Sequence, residues 1–85
     1  MPHFFFHLHD GKSRLEDSRG VSLPDAEAAW YQAFRNARDI VSAVAPVAGR
    51  PAEARHLNGH ALEVEDELGR HVWTLPLVEI AELLA

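Results

Sequence analysis

The feature that most constrains this chain is an amphipathic segment that runs from Asp25 to Ala45. Apolar or small residues recur in it every three or four positions, which is the spacing of one buried face of an α-helix. These residues are Ala26, Trp30, Ala33, Phe34, Ala37, Ile40, Val41 and Val44. Asp25 is placed to cap the first turn with its carboxylate, and Pro46 ends the helix because proline has no backbone N–H. The pattern predicts one long packing helix, with Trp30 at the centre of its buried face.

Alternating residues before the helix predict a β-hairpin. The segment from His3 to His9 has the period of two that is typical of strands, and it is rich in aromatic residues. The dipeptide Asp10-Gly11 is a strong turn signal because glycine tolerates a positive φ. It joins the first strand to a weaker one over residues 12–16, and a second turn at 17–20 then leads towards the helix.

A second hairpin follows the helix. The segments His60–Asp66 and Arg70–Leu75 alternate in the same way, and Gly69 supplies the positive φ of the turn between them. Pro76 then begins a short terminal helix with an apolar stripe. Between the long helix and this hairpin, the segment from Pro46 to Gly59 has no period and is predicted to be a surface connector.

Together these elements predict the fold class. The 85 residues are enough for one small domain, residues 1–85, with a single core. We predict an α+β fold that forms a two-layer sandwich. An antiparallel sheet of two hairpins packs on one long helix, in the order ββαββ with a short C-terminal helix. The sequence leaves the strand order within the sheet open.

Because one helix covers only one face of a sheet, the pattern also predicts an uncovered face. If Asp66 and Arg70 oppose each other across the turn of the second hairpin, Val64 faces Val72. By the same count Glu63 faces Trp73. If the first and last strands are also neighbours, the uncovered face carries apolar residues among the histidines and forms an interaction face. With the nearby terminal helix, this predicted interaction face consists of Phe5, Trp73, Leu75, Leu77 and Ile80.

Composition excludes several functions. The chain has eight Lys and Arg against thirteen Asp and Glu, a net charge of −5, which argues against binding to nucleic-acid phosphates. It contains no cysteine, so neither disulfides nor thiolate metal sites hold the fold. No apolar run is long enough to span a membrane, and residues 1–10 lack the pattern of a signal peptide. We expect a cytoplasmic protein without a cofactor.

The histidines of the first strand suggest a metal site. His7 and His9 lie two residues apart on a strand, so both rings project from one face. Imidazoles with a nearby Glu63 or Glu65 are suitable ligands for zinc, copper or nickel, although the sequence does not identify the full set. The sequence has no glycine-rich phosphate loop, no nucleophile elbow and no cysteine. Pairs such as His7 with Asp10 or His60 with Glu63 are expected by chance among so many histidines and acids, so we predict no enzymatic activity.

Several motifs carry a resemblance to one family. They are Met-Pro-His-Phe-Phe-Phe-His-Leu-His-Asp-Gly at the start, Asp17-x-x-Gly20-x-x-Leu23-Pro24-Asp25 before an alanine-rich helix, Val64-x-Asp66-Glu67-x-Gly69-Arg70, and Thr74-Leu75-Pro76. In this order they resemble a group of short bacterial proteins, domain of unknown function 6894. The resemblance covers nearly the whole chain and implies no established activity. A weaker resemblance, limited to a hairpin followed by an alanine-rich helix, is to the antitoxins of bacterial toxin–antitoxin pairs, from which the second hairpin departs.

Three functional hypotheses follow from these features. We predict a small protein-interaction module that self-associates as a homodimer, because an apolar sheet face with an exposed tryptophan favours a partner. The alternative is an antitoxin-like or regulatory subunit that binds another protein. The third hypothesis is a metal-binding protein that uses His7 and His9.

Overall fold

The computed structural model describes residues 1–44 and 59–84. Its elements are β1 (His3–His9), β2 (Arg14–Leu15), β3 (Val21–Ser22), α1 (Ala26–Val44), β4 (Ala61–Asp66), β5 (His71–Pro76) and α2 (Leu77–Leu84). The predicted helix end at Ala45 and the predicted connector, up to residue 58, lie outside the described residues. The α+β class with an antiparallel sheet is confirmed. Within the described ranges, no helix is both long and apolar enough to cross a membrane.

The sheet has the strand order β2-β1-β4-β5, and β3 also pairs with β1. Near its C-terminal end β1 pairs with β2, and near its N-terminal end it pairs with β3. Two short strands therefore replace the single second strand that the ββαββ order predicts. The interruption between them has a physical cause, because the Asp17 carboxylate accepts the backbone N–H of Phe6 at 3.1 Å. A side chain thus satisfies a donor that a neighbouring strand would otherwise pair.

The second hairpin contains a β-bulge that simple alternation does not anticipate. As predicted, Asp66 and Arg70 oppose each other at the turn, and the Asp66 N–H donates to the Arg70 carbonyl at 2.9 Å. The register then shifts, so that Trp73 and not Val72 opposes Val64. The predicted pairing is therefore wrong, because one extra residue on β5 moves each later side chain to the other face of the sheet.

This bulge also corrects the predicted interaction face. Leu75 opposes Leu62 on the helix-covered face, and only 6% of its surface is exposed. Leu77 and Ile80 are 0% and 5% exposed, because α2 folds back against α1 on the same side of the sheet. These three residues belong to the core and do not form an exposed surface.

The remaining two residues of the predicted interaction face lie on opposite faces. Trp73 opposes Val64 on the helix side, and Thr74 rather than Trp73 opposes Glu63. Phe5 lies on the uncovered face, where its ring stacks with that of His7. The condition that the first and last strands are neighbours is not met, because β4 lies between β1 and β5.

The core lies between the sheet and the two helices. α1 contributes a stripe of small residues, Ala29, Ala33 and Ala37, and each is fully buried. These alanines let the α1 backbone approach the sheet closely, which larger side chains would prevent. Trp30 is half-buried beside this stripe, so the prediction that it lies at the centre of the buried face is wrong. The other buried apolar residues of the described chain are Phe4, Val41, Leu62, Val64, Leu75, Leu77 and Ile80.

Candidate interaction surfaces

The uncovered face of the sheet is built around a ladder of rings on β1. The rings of His3, Phe5 and His7 follow one another with centroid separations of 5.1 Å and 6.4 Å. On β4, Glu63 lies opposite His7, and Glu65 lies opposite Phe5. The face is therefore polar and acidic, and it differs from the apolar surface that the sequence predicts.

His7 is the buried member of this ladder, with 5% of its surface exposed. Its Nδ1 accepts the backbone N–H of Asp17 at 3.1 Å, and its Nε2 lies 2.9 Å from Glu65 Oε1. Because a backbone N–H can only donate, Nδ1 is unprotonated, and the ring donates its Nε2 proton to Glu65. His7 thereby ties the loop after β2 to β4, with β1 between them.

Arg14 compensates the glutamates around His7. Its guanidinium extends from β2 across β1 and lies 2.7 Å from Glu16, 3.3 Å from Glu65 and 3.8 Å from Glu63. The hydrogen bond from Arg14 lowers the pKa of Glu16 below its ordinary value. One guanidinium thus lies within ion-pair distance of three carboxylates, so the cluster keeps a net negative charge.

The predicted metal ligands, His7 and His9, lie on the same face, but their Nδ1 atoms are already used. His9 Nδ1 accepts the backbone N–H of Gly11 at 2.9 Å, as His7 Nδ1 accepts that of Asp17. A metal bound at Nε2 would require a proton on Nδ1. That proton would point at the backbone N–H that Nδ1 accepts, and the two donors would repel each other. Within residues 1–44 and 59–84, no three His, Asp or Glu side chains form a group that fits a metal ion. The geometry therefore gives no support to a metal centre on this face.

Asp17 organises the loop between β2 and β3. Its carboxylate accepts the backbone N–H groups of Phe6, Arg19 and Gly20 at distances from 3.0 to 3.1 Å. Burial by itself raises the pKa of Asp17, but these hydrogen bonds together outweigh it and hold the pKa below its ordinary value of 3.8. The sequence signal for this role is an aspartate followed three residues later by a glycine, a pattern that by itself predicts only a turn.

The Asp17→Asn variant should lose stability most at neutral pH. Because the folded protein lowers the Asp17 pKa, the resulting stabilisation is complete above about pH 5, begins to decrease near the ordinary pKa of an aspartate, and is lost as the pH falls through the lowered value. An amide cannot accept all three hydrogen bonds. The difference in unfolding free energy between the wild type and the variant should therefore shrink on acidification, as measured by urea denaturation at several pH values.

Asp39→Asn is the matched control for this prediction, since the Asp39 side chain is 77% exposed on α1. Its effect on stability should be small at every pH. A stability difference for Asp17→Asn that stays constant from neutral to acid pH would contradict the role given to its charge.

A cluster of aromatic residues lies on the flank of α1 that borders β5. Trp30 stacks on Phe34 with ring centroids 5.5 Å apart and meets Tyr31 edge-on at 5.3 Å. Trp73 of β5 donates its indole N–H to the Ala26 carbonyl at 3.0 Å, which places it at the first turn of the same helix. We name Trp30, Tyr31, Phe34 and Trp73 the aromatic patch. Its outer members are exposed, Tyr31 by 57% and Trp73 by 36%.

Charged residues border the aromatic patch. Glu27 and Arg35 lie four residues to either side of Tyr31, so the three side chains form one exposed line along α1. An aromatic centre with a polar border is typical of protein interfaces, where tryptophan and tyrosine often contribute most of the binding energy. Sequence reasoning gives Tyr31 no role, because a single exposed aromatic residue on a helix is ordinary.

The opposite flank of α1 borders a groove. Two hollows of about 390 Å³ and 380 Å³ lie between α1 and the edge formed by β1, β2 and β3. They share Phe6, Asp17 and Asn36, so they adjoin each other along α1, and we name the two hollows together the lateral groove. Leu15, 73% exposed, lies at one end of it. The main helix thus separates two different candidate surfaces.

These observations define a small two-layer α+β domain with an aromatic patch on one side of its main helix and a groove on the other. A family model described as Domain of unknown function (DUF6894) matches residues 3–78, and the chain belongs to this family. The resemblance predicted from the sequence motifs is therefore confirmed. No curated protein and no solved structure matches the chain.

Proposed function

We propose that this domain is a protein-interaction module that forms a homodimer through the aromatic patch. The observation that supports this proposal is the exposure of Tyr31, which meets Trp30 edge-on, and of Trp73 at the first turn of α1, because large aromatic side chains are costly to leave in water. A stable interface buries more than about 1,000 Å² in total. With Tyr31 on the axis of such a dimer, the two α1 helices overlap over residues 26–36, about 16 Å, so Trp73 and its neighbours on β5 must contribute to an area of that order.

The charges around the patch favour a second copy as the partner. In a two-fold dimer with antiparallel α1 helices and Tyr31 on the axis, Glu27 of each copy lies opposite Arg35 of the other. Both residues are equally distant from Tyr31 along the chain, so the symmetry creates this ion pair twice. Opposite charges at the border of an interface favour the matching register over shifted ones.

Pairing of β5 with another chain is the less favourable way to associate. β5 is an outer strand of the sheet, and an open edge can template a further strand. However, the bulge opposite Val64 bends β5, and Pro76 lacks a backbone donor at its end. These two features shorten the usable edge, so the proposed dimer uses helix packing instead.

The Tyr31→Glu variant should be a monomer at concentrations at which the wild type is a dimer. At the two-fold axis, each introduced carboxylate would meet its symmetry mate in a desolvated contact. Sedimentation velocity measures the change, and circular dichroism should show unchanged helix content. Leu15→Glu, on the opposite edge of the sheet, is the matched control and should remain dimeric. Trp73→Glu should also give a monomer, but its indole holds the first turn of α1, so Tyr31 is the cleaner position.

Charge reversal tests the register of this dimer. Glu27→Arg or Arg35→Glu alone should weaken dimerisation about tenfold, because two border pairs each change by somewhat less than about 1 kcal/mol. The combined variant restores opposite charges and should recover most of the wild-type affinity. A wild type that sediments as a monomer at high concentration would overturn the homodimer. Failure of the combined variant to recover would overturn only the antiparallel register.

A further inference from the structure

We propose that the lateral groove binds an apolar peptide segment that carries lysine or arginine side chains. The groove lies on the flank of α1 away from the aromatic patch, so this proposal is independent of the dimer and adds a second binding site. The composition of the floor, the charge of the border and the length of the channel each support it.

The floor of the groove is apolar and incompletely covered. Phe6, Leu8 and Ile40 are half-buried against the core, and Leu15 is 73% exposed beside them. Leu15 projects to the helix side of the sheet because it is paired with Leu8. An apolar side chain placed between Leu15 and Ile40 would remove part of all these surfaces from water, which is favourable in proportion to the buried area.

The charged side chains along the groove are all acidic. They are Glu16, Asp17 and Asp39, and no Lys or Arg lines either hollow in the part of the chain that the structure describes. Arg14 lies 2.7 Å from Glu16, and Arg38 lies 4.0 Å from Asp39. These two cations reduce but do not reverse the negative charge of the border. Asp17 keeps its charge well into acid, because the backbone hydrogen bonds that outweigh its burial lower its pKa. Such a border attracts a cationic segment and disfavours a second copy of this chain, whose net charge is −5.

The length of the groove suits a short segment. Along α1 it extends from Gln32 to Ile40, a rise of about 12 Å. This is about two turns of a helix or about four residues of an extended chain. Asn36 lies at the middle, and its Oδ1 is fixed by the Gln32 amide at 2.9 Å, which leaves its Nδ2 to donate to a peptide carbonyl.

Two synthetic peptides of equal length test the proposal, one made of leucine and lysine and the other of leucine and glutamate in the same positions. Fluorescence anisotropy of the labelled peptides should show binding of the lysine peptide that is about tenfold or more stronger than that of the glutamate peptide. Changes in the backbone amide NMR spectrum on adding the lysine peptide should centre on Leu8, Leu15 and Ile40.

Matched variants separate the groove from general attraction to an acidic protein. Asp39→Lys should weaken binding of the lysine peptide about fivefold or more, whereas Glu82→Lys, at an exposed position of α2, makes the same change in net charge and should have little effect. Leu15→Gln removes the apolar contact without a charge change and should weaken binding to a similar degree as Asp39→Lys. Circular dichroism of each variant confirms that the fold is kept.

Several results would overturn the proposal. Equal binding of the two peptides, absence of binding, or equal effects of Asp39→Lys and Glu82→Lys would each show that the groove does not select a cationic apolar segment. Groove amide shifts that appear when the protein alone is concentrated would show that a second copy is the occupant. Loss of dimerisation in Tyr31→Glu has no bearing on these outcomes, so the two proposals fail separately.

Discussion

Leu77→Ala should lower the free energy of unfolding by about 3–4 kcal/mol, a large fraction of the stability of a domain this small. Leu77 is fully buried at the start of α2, where it enters the core beside α1. Truncation removes apolar contacts and leaves a cavity, because the small alanine side chains of α1 cannot extend into the vacated space. The backbone N–H of Leu77 keeps its hydrogen bond to the His60 carbonyl, so the loss measures packing.

The same change at Leu83 is the matched control for this prediction. Leu83 lies on the same helix but is 73% exposed, so Leu83→Ala should alter the unfolding free energy by no more than about 0.5 kcal/mol. Urea denaturation of the two variants measures the contrast. Equal shifts at the two positions would mean that α2 does not dock on the core as described.

Gly20→Ala should cost about 3 kcal/mol or more in folding stability. Gly20 has a φ of +64°, and a Cβ there would lie 2.6 Å from the Phe4 carbonyl oxygen and 2.7 Å from His3 Nε2. The His3 ring is not free to move aside, because its Nε2 donates to the Arg19 carbonyl at 2.7 Å. The added methyl group should therefore disrupt the pairing of β1 with β3.

Gly69→Ala separates this clash from the cost of the backbone conformation. Gly69 has a φ of +78°, but a Cβ at this position would meet no atom within 4 Å. Its replacement should cost only the left-handed strain of a non-glycine residue, about 1–2 kcal/mol. Thermal or urea denaturation that shows equal losses for the two variants would contradict the close approach at Gly20.

The helices, the main strands and the turns could be predicted because they depend on local spacing. Period and turn chemistry locate β1, β4, β5 and both helices close to their observed positions. The cap at Asp25 is also local, and its carboxylate accepts the Ala28 N–H at 2.8 Å, as the sequence predicts. Local rules succeed here because each residue adopts the conformation that its neighbours already favour.

The face of the sheet on which each β5 side chain lies could not be predicted in the same way. A bulge has no reliable residue signature, and the run from His71 to Leu75 alternates plausibly in either register. Burial decides between the registers, because only the shifted one brings Trp73 and Leu75 to the helices. An error of one residue in the register therefore put Trp73 and Leu75 on the wrong face of the sheet in the predicted interaction face.

The candidate surfaces depend on contacts between distant parts of the chain. The sequence places His7 on a strand face, but its partners, Asp17 and Glu65, come from a loop and another strand. Similarly, the aromatic patch forms because Trp73 reaches the first turn of α1, and spacing within either element does not reveal this. Alanine at positions 29, 33 and 37 also indicates close packing only once the sheet is known to lie beneath it.

The carboxylate of Asp17 also affects how the sheet opens. Amides in a sheet are ordinarily held by carbonyl oxygens, which do not titrate, but the Phe6 amide is held by an acid. Protonation of Asp17 weakens the bonds to Phe6, Arg19 and Gly20 together, because all three share one acceptor group. In acid, we therefore expect the segment between β2 and β3 to open by itself, so that its amide hydrogens exchange with solvent before the pairing of β1 with β4 is lost.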